Sequence, residues 1–188
     1  NRLKKFMADG QIEDDTAEIP TSSKKFLINT DVLVDGVHFS ELTTSAEDVG
    51  WKAIAANVSD LVASGSENII AFTIGLIAPP DTKWSWVEGV YEGISKALEY
   101  YGGKLVGGDC SKGNQKIISI TAIGLMSSLR LHRSKAFPGD YIVTTGSHGL
   151  SRLGLAILSA EPLIKNANLS KKFCRAKAGF RFLNAKSP

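Results

Sequence analysis

Residues 45–65 read SAEDVGWKAIAANVSDLVASG, and this stretch decides how the centre of the chain folds. Ser45 and Asp48 have the spacing of a helix-capping box, and Gly65 supplies a stop signal. The segment therefore predicts a helix from Ala46 towards Ser64. Its residues are apolar almost all the way round, which is typical of a helix buried on most of its surface.

Segments with strand character surround this helix. The run IIAFTIGLIA, which ends at Pro79 and Pro80, is continuous and β-prone. Other strands are predicted at Ile12–Ile19, Lys25–Val34, Lys104–Gly107, Gln115–Leu125 and Tyr141–Thr145, with further helices at Asn1–Ala8, Lys83–Tyr101 (capped by Thr82) and Leu150–Leu158. This order predicts an α+β fold with a mixed, largely antiparallel sheet and helices on one face.

The composition excludes several classes of protein. Of the 188 residues, 43% are apolar and 22% are charged, which is enough to bury a core. The net charge of +3 comes from scattered lysines and arginines, so a nucleic-acid partner is not expected. No apolar run approaches the roughly 18 residues that cross a bilayer, so no membrane partner is expected. The two cysteines have no metal-ligand spacing, and we expect a cytoplasmic protein.

The first candidate functional residue is Asp60, which lies in the apolar helix. An unpaired carboxylate buried there would cost several kcal/mol. Asn57 precedes it by three residues and therefore shares its helix face. The pair indicates either a cation site or a polar network satisfied by backbone donors, and the helix alone does not decide between them.

Other carboxylates also lie in apolar or glycine-rich segments. Asp31 interrupts a strand, although a solvent-facing edge strand would explain it equally well. Asp14 and Asp15 are adjacent, so only one of them can face a given site. Asp109 follows two glycines, which let the backbone approach a ligand but also occur in ordinary tight turns. Carboxylates without His or Cys partners favour Mg²⁺, which in proteins usually serves substrate phosphates.

The motifs that surround these carboxylates resemble those of one enzyme family, the thiamine-monophosphate kinases. This family belongs to a wider superfamily with aminoimidazole ribonucleotide synthetase. The similar segments are IEDDTA (12–17), NTDVLVDGVHF (29–39), WKAIAANVSDLVASG (51–65), LVGGDC (105–110), HRSKAFPGD (132–140), and VTTG (143–146) with LSRLGL (150–155). Four positions depart from the family pattern: Glu13, Asn29, Ser64 and Lys135.

The resemblance implies a role for each matching residue. Those implied to bind Mg²⁺ are Asp15, Thr30, Asp31, Asp60 and Asp109. Those implied to contact ATP are Tyr91, Gly108, Asp109 and Arg133, and His38 is implied to contact the thiamine monophosphate substrate. From the residues alone, His38 is more simply a neutral core histidine, whereas an arginine at position 133 suits a bidentate hold on phosphate.

The resemblance also implies an organisation and a reaction. Residues 1–140 would form an N-terminal ATP- and Mg²⁺-binding domain that dimerises through its sheet, and 141–188 would begin an incomplete C-terminal domain. ATP would phosphorylate thiamine monophosphate by in-line transfer. The alternatives are another ATP-dependent synthetase of the superfamily, a non-catalytic dimerisation module, and nucleotide binding without transfer.

Overall fold

The computed structural model describes residues 16–21, 23–144 and 148–159. The predicted helix over residues 1–8 lies outside the described residues. The predicted metal ligand Asp15 also lies outside them. The elements are β1 (Ala17–Pro20), β2 (Lys25–Val34), α1 (Ala46–Ala63), β3 (Ser66–Ala78), α2 (Trp84–Tyr101), β4 (Lys104–Lys112), β5 (Ile117–Met126), a 3₁₀ helix (Arg133–Lys135) and α3 (Leu150–Ser159).

The strands form one five-stranded sheet in the order β1-β2-β5-β3-β4. Only β3 and β4 run parallel, while the other neighbouring pairs are antiparallel. A parallel pair needs a crossover, and α2 provides it between β3 and β4. The predicted mixed, largely antiparallel α+β sheet is confirmed.

Helix α1 lies at the centre of the core, as its sequence predicts. The Ser45 hydroxyl accepts the Asp48 backbone N–H at 3.1 Å and donates to the Asp48 carboxylate at 2.8 Å. One side of α1 packs against β2, β3 and β5, and the other packs against α2. Because α2 packs on α1, both helices cover the same face of the sheet, with Ile54, Leu61 and Phe72 fully buried between the layers.

Two glycines allow α1 and α2 to cross with their backbones in contact. A Cβ on Gly50 would lie 1.9 Å from the Val90 carbonyl oxygen. A Cβ on Gly93 would lie equally close, at 1.9 Å, to the Glu47 carbonyl oxygen. Neither backbone oxygen can move aside without shifting its helix, so no side chain fits at either crossing point.

Three local predictions are wrong. The helix α2 is capped at Lys83 without a side-chain hydrogen bond, and not by Thr82. Residues 141–144 form no strand. Strand β4 continues to Lys112, so Gly107, Gly108 and Asp109 lie within a strand and not in a turn after it, because β3 extends beside them and supplies hydrogen-bond partners. The domain division at residue 140 stays a prediction.

Candidate functional site

The pleat of the sheet divides the candidate residues between its two faces. On β2, Asn29 and Asp31 face the helices, in line with the buried Leu27 and Leu33. Thr30 therefore faces the opposite side, which no described helix covers, and its hydroxyl is 2.8 Å from the Thr121 hydroxyl on β5. The motif around Asp31 thus contributes to both faces.

A buried polar group lies between β2 and α1. Asn29, which is 6% exposed, donates from Nδ2 to Oδ2 of Asp60 at 3.3 Å. Asn57 is fully buried and donates from Nδ2 to the Ala53 carbonyl at 2.8 Å. The side-chain oxygens of Asn29 and Asn57 are buried and accept no hydrogen bond within the described part of the chain. Leaving such an oxygen unsatisfied costs about 1–3 kcal/mol, so this region retains unused acceptors.

These acceptors fit a hard cation. The carboxylates of Asp31 and Asp60 and the amide oxygen of Asn29 are oxygen ligands of the kind that Mg²⁺ prefers. In the described ranges, no group of three or more His, Cys, Asp or Glu residues could hold a metal ion. Asn29 contacts Asp60, and Asp31 shares their face of the sheet, so a magnesium ion held there would need water and substrate phosphate to complete its shell.

Asp109 lies away from this group. Asp109 pairs with Gly75 of β3, and Gly75 pairs with Ser119 of β5. Strand β2 lies on the far side of β5. Three strand spacings place Asp109 about 14 Å from β2. Its carboxylate accepts from the Ser111 hydroxyl at 3.1 Å, so both side chains share one face. That face is the uncovered one, because the partner Gly75 alternates with the buried Ile74 and Leu76 on β3. Thr30 and Asp109 therefore face away from Asp31 and from the Asn29 and Asp60 pair, and the metal-binding role of all these residues stays a prediction.

Tyr91 lies over β4, next to the glycine motif. Burial raises the pKa of its hydroxyl, and the charge and hydrogen bonding of the neighbouring Cys110 thiol raise it further. The structure therefore brings Tyr91 beside the segment that holds Gly108 and Asp109. A Cβ on Gly108 would lie 2.1 Å from the Ile74 carbonyl oxygen. The close approach of β3 alone therefore requires a glycine at this position.

Arg133 lines an open cleft of about 570 Å³ at the carboxyl end of α1. The cleft is basic, since Arg130 and Lys135 also line it. Arg130 is partly buried and donates to the Ser64 carbonyl at 2.9 Å and to the Thr16 hydroxyl at 3.0 Å. This guanidinium ties the segment next to Asp15 in sequence to the end of the helix that carries Asp60.

His38 is exposed, not a core residue, and lies in a turn after β2. Its Nδ1 accepts the Val34 backbone N–H at 3.1 Å. Its carbonyl accepts from Nζ of Lys52 on α1 at 2.8 Å. These bonds fix the imidazole at the edge of a second cleft, of about 710 Å³, between this turn and α3.

Sequence reasoning missed Lys52, Arg130 and Arg152 as candidate site residues. Lys52 gave a usable signal, because a cation within the apolar run WKAIAA is as unexpected as the aspartate later in the same helix. Arg130 and Arg152 gave none, since each lies in an ordinary polar segment and meets its partners or its cleft only in the folded chain.

Comparison with known proteins identifies the family. The model described as AIR synthase related protein, N-terminal domain, matches residues 13–126. The chain is 57% identical over 169 residues to a thiamine-monophosphate kinase of Prochlorococcus marinus, covering 90% of this chain and 51% of that protein. It is 41% identical to the Synechococcus elongatus protein of the same name, covering 85% and 49%. The chain spans about half the length of these curated relatives.

Solved structures show the same fold. The structure of AaThiL complexed with AMPPCP and TMP aligns with a TM-score of 0.80 at 35% identity, covering 96% of this chain and 60% of that one. The thiamine monophosphate kinase structure from Aquifex aeolicus aligns with a TM-score of 0.81 at 34% identity, covering 99% and 59%. Among the helices of the described residues, none has the length and apolar character to span a membrane.

Proposed function

We propose that this chain, which belongs to the AIR synthase related protein family, is the nucleotide- and Mg²⁺-binding part of a thiamine-monophosphate kinase. The observation that carries the proposal is the buried group of Asn29 and Asp60, with unused oxygen acceptors, on the sheet face that Asp31 shares. The names of the curated relatives support the activity. The related complex with AMPPCP, an ATP analogue, and TMP supports the two substrates.

In the proposed reaction, a phosphate oxygen of thiamine monophosphate attacks the γ-phosphorus of ATP. The new O–P bond forms as the bond from the γ-phosphorus to the β,γ-bridging oxygen breaks, and the electron pair leaves with ADP. The second product is thiamine diphosphate. Bound Mg²⁺ would supply neutralisation of the phosphate charge. No protein nucleophile is needed, so the chain contributes by positioning and electrostatics.

Each candidate residue has a place in this scheme. Asp31, Asp60 and Asn29 would hold the metal, and Asp15 is expected to join them. The Arg133 guanidinium would grip phosphate oxygens in two parallel hydrogen bonds. Tyr91 would contact the nucleotide beside Gly108, where β4 passes under α2.

We also expect a homodimer formed through the uncovered face of the sheet. Val32, which follows Asp31 and therefore shares the face of Thr30, exposes 43% of its surface there, and a second copy would bury such a side chain. Thr30 and Asp109 lie on the same face, so a partner covering it would lie beside them. Light scattering on the full-length protein would test this, with twice the monomer mass as the expected result.

A product assay tests the function. The full-length protein is incubated with ATP, Mg²⁺ and one acceptor at a time, and the products are separated by chromatography. We expect thiamine diphosphate from thiamine monophosphate, with one ADP released per product. Turnover only with formylglycinamidine ribonucleotide would instead identify a synthetase of the wider superfamily. Binding of an ATP analogue without any transfer would identify a nucleotide-binding module.

A further inference from the structure

The guanidinium of Arg130 joins three segments that are separated in the sequence. From Nη2 it donates to the Thr16 hydroxyl at 3.0 Å and to the Thr16 carbonyl at 3.3 Å. From Nη1 it donates to the Ser64 carbonyl at 2.9 Å and to the carbonyl of its own neighbour, Leu131, at 2.6 Å. Thr16 and Ser64 are only 3% and 4% exposed, so the bonds to them lie largely out of water. An arginine can bond both because its planar fork presents donors on two nitrogens in fixed directions.

The first of these segments is the carboxyl end of α1. The last turn of this helix contains no basic residue, and Arg130 supplies a positive charge there from outside the helix. Ser64, which caps this end, donates its N–H to the Asp60 carbonyl at 3.0 Å. A Cβ on the following Gly65 would lie 2.3 Å from the Leu129 carbonyl oxygen, so the segment that carries Arg130 packs directly on the helix end. Arg130 therefore holds α1 one turn from Asp60.

The second segment leads to Arg133. Leu131 is held at both of its backbone groups, because its N–H donates to the Ser64 carbonyl at 3.2 Å and its carbonyl accepts from Arg130. The 3₁₀ helix that carries Arg133 follows at once, and the His132 side chain caps it. The turn that presents Arg133 therefore starts from a fixed backbone, which cannot shift without breaking these bonds.

The third segment begins at Thr16, which directly follows Asp15 in the sequence. Arg130 bonds both the hydroxyl and the carbonyl of Thr16. The residues after Thr16, Ala17–Pro20, form β1 and pair with β2. The bond from Arg130 therefore fixes the backbone one residue from Asp15, which itself lies outside the described residues.

We propose that Arg130 is a positioning residue, which sets the segments of Asp15 and Arg133 against the end of α1 that carries Asp60. The inference rests on the proposed function for the roles of those three residues. The described bonds of Arg130 go to protein groups, so it acts on the metal and the nucleotide through the residues that it holds. Such a role has a large effect on phosphoryl transfer, because a misplacement of about 1 Å can cost about 100-fold in rate.

The effect of Arg130 should be confined to one end of α1. Lys52, which holds the His38 carbonyl, precedes Ser64 by 12 residues, or about 18 Å along the helix axis. Loss of Arg130 should therefore weaken the action of Mg²⁺ and ATP and leave that of thiamine monophosphate nearly unchanged. A residue that only stabilised the fold would lower the amount of folded enzyme and change neither KM. The two substrates thus separate a positioning role from a purely structural one.

The test uses Arg130→Met, Arg130→Lys and Thr16→Val in the full-length protein. Thr16→Val removes the hydroxyl that accepts from Arg130 and keeps the shape of the side chain. Ser45→Ala is the control, because it removes the cap at the other end of α1 and lowers stability without removing a contact of Arg130. Initial rates are measured against ATP, Mg²⁺ and thiamine monophosphate separately, at a temperature where every variant is folded. Mass spectrometry measures hydrogen exchange without ligand in the peptide that contains Leu131.

We expect Arg130→Met to raise both the KM for ATP and the Mg²⁺ concentration at half-maximal rate about tenfold, as for residues that orient metal ligands. The KM for thiamine monophosphate should stay within about twofold. Arg130→Lys should recover little, because an ammonium group keeps the charge but cannot bond Thr16 and Ser64 together. Thr16→Val should raise the KM for ATP about threefold, and should add nothing to Arg130→Met, because both changes remove the same contact. Exchange at Leu131 should be faster in Arg130→Met and unchanged in Ser45→Ala.

A wild-type KM for ATP in Arg130→Met, or equal rises for ATP and thiamine monophosphate, would overturn the assignment. So would full recovery in Arg130→Lys, since charge alone would then be sufficient. If Arg130→Met does not fold, Thr16→Val decides, and a wild-type KM for ATP in that variant would reject the role. If the wild type shows no kinase activity, the proposed function fails on its own. Arg130 is then tested by exchange at Leu131 and by Mg²⁺-dependent binding of AMPPCP, and wild-type values of both in Arg130→Met would reject a positioning role.

Discussion

Replacing Asp60 with asparagine separates a metal-binding role from a structural one. The substitution keeps the size of the side chain and an oxygen that can still accept the hydrogen bond from Asn29, which spans 3.3 Å. It removes the negative charge of a partly buried group, so the free energy of unfolding without ligand should change by less than about 1 kcal/mol. The stability of the ligand-free protein should therefore be nearly the same in the variant and the wild type.

The effect of the substitution on stability should become large when Mg²⁺ and AMPPCP are added. A ligand present at 100 times its Kd stabilises the native state by about 2.7 kcal/mol. For a domain of 150–250 residues that corresponds to a rise in Tm of about 5–10 °C. Without the Asp60 charge, we expect Mg²⁺ with AMPPCP to raise Tm by less than about 2 °C at the same concentrations. Turnover should fall by about 100-fold or more, as when a group stabilising transition-state charge is lost.

Differential scanning fluorimetry of the full-length protein, with and without Mg²⁺ and AMPPCP, measures both quantities. Asp81→Asn is the matched control, because Asp81 is exposed and lies after β3, away from the Asn29 group. It should keep the full ligand-dependent rise. If Asp60→Asn keeps both that rise and near wild-type turnover, the carboxylate does not hold the metal and the reasoning fails.

Three further substitutions test the packing, the helix cap and the acceptor site. Gly93→Ala should lower the free energy of unfolding by about 2 kcal/mol in chemical denaturation, because the new Cβ would lie 1.9 Å from the Glu47 carbonyl oxygen. The control Ser95→Ala, on the exposed side of α2, should change it by less than about 0.5 kcal/mol. Ser45→Ala should cost about 1 kcal/mol in the same assay through loss of the cap of α1, and an unchanged midpoint would refute that role. His38→Ala should raise the KM for thiamine monophosphate about tenfold and leave that for ATP nearly unchanged, since a single contact is worth about 1–1.5 kcal/mol; equal effects on both would contradict its assignment.

Local patterns predict most of the fold. The capping residues and the apolar run fix α1 to within a residue, and the strand and helix order follows from periodicity. The length of β4 does not follow, because its glycine motif carries turn chemistry and is held extended only by pairing with β3. Strand pairing of this kind depends on a distant segment, which no local window contains.

The site is predictable in type but not in arrangement. Asp60 and Asn57 stand out because carboxylate and amide groups are rare in an apolar helix. The pleat and the strand order β2-β5-β3-β4 decide which residues meet. They bring Asn29 to Asp60 and place Asp109 on the other face, and neither result can be derived from a local segment. Lys52 is also a charged residue within an apolar helix, and a search limited to carboxylates does not find it.

Anomalous scattering from Mn²⁺ locates the metal directly. Crystals of the full-length protein grown with AMPPCP and Mn²⁺ in place of Mg²⁺ would give a peak at each bound ion. We expect an ion about 2.1 Å from carboxylate oxygens of Asp31 or Asp60, and in contact with a phosphate oxygen. A nucleotide bound with its metal elsewhere, and with no ion in contact with Asn29 or Asp60, would contradict the account.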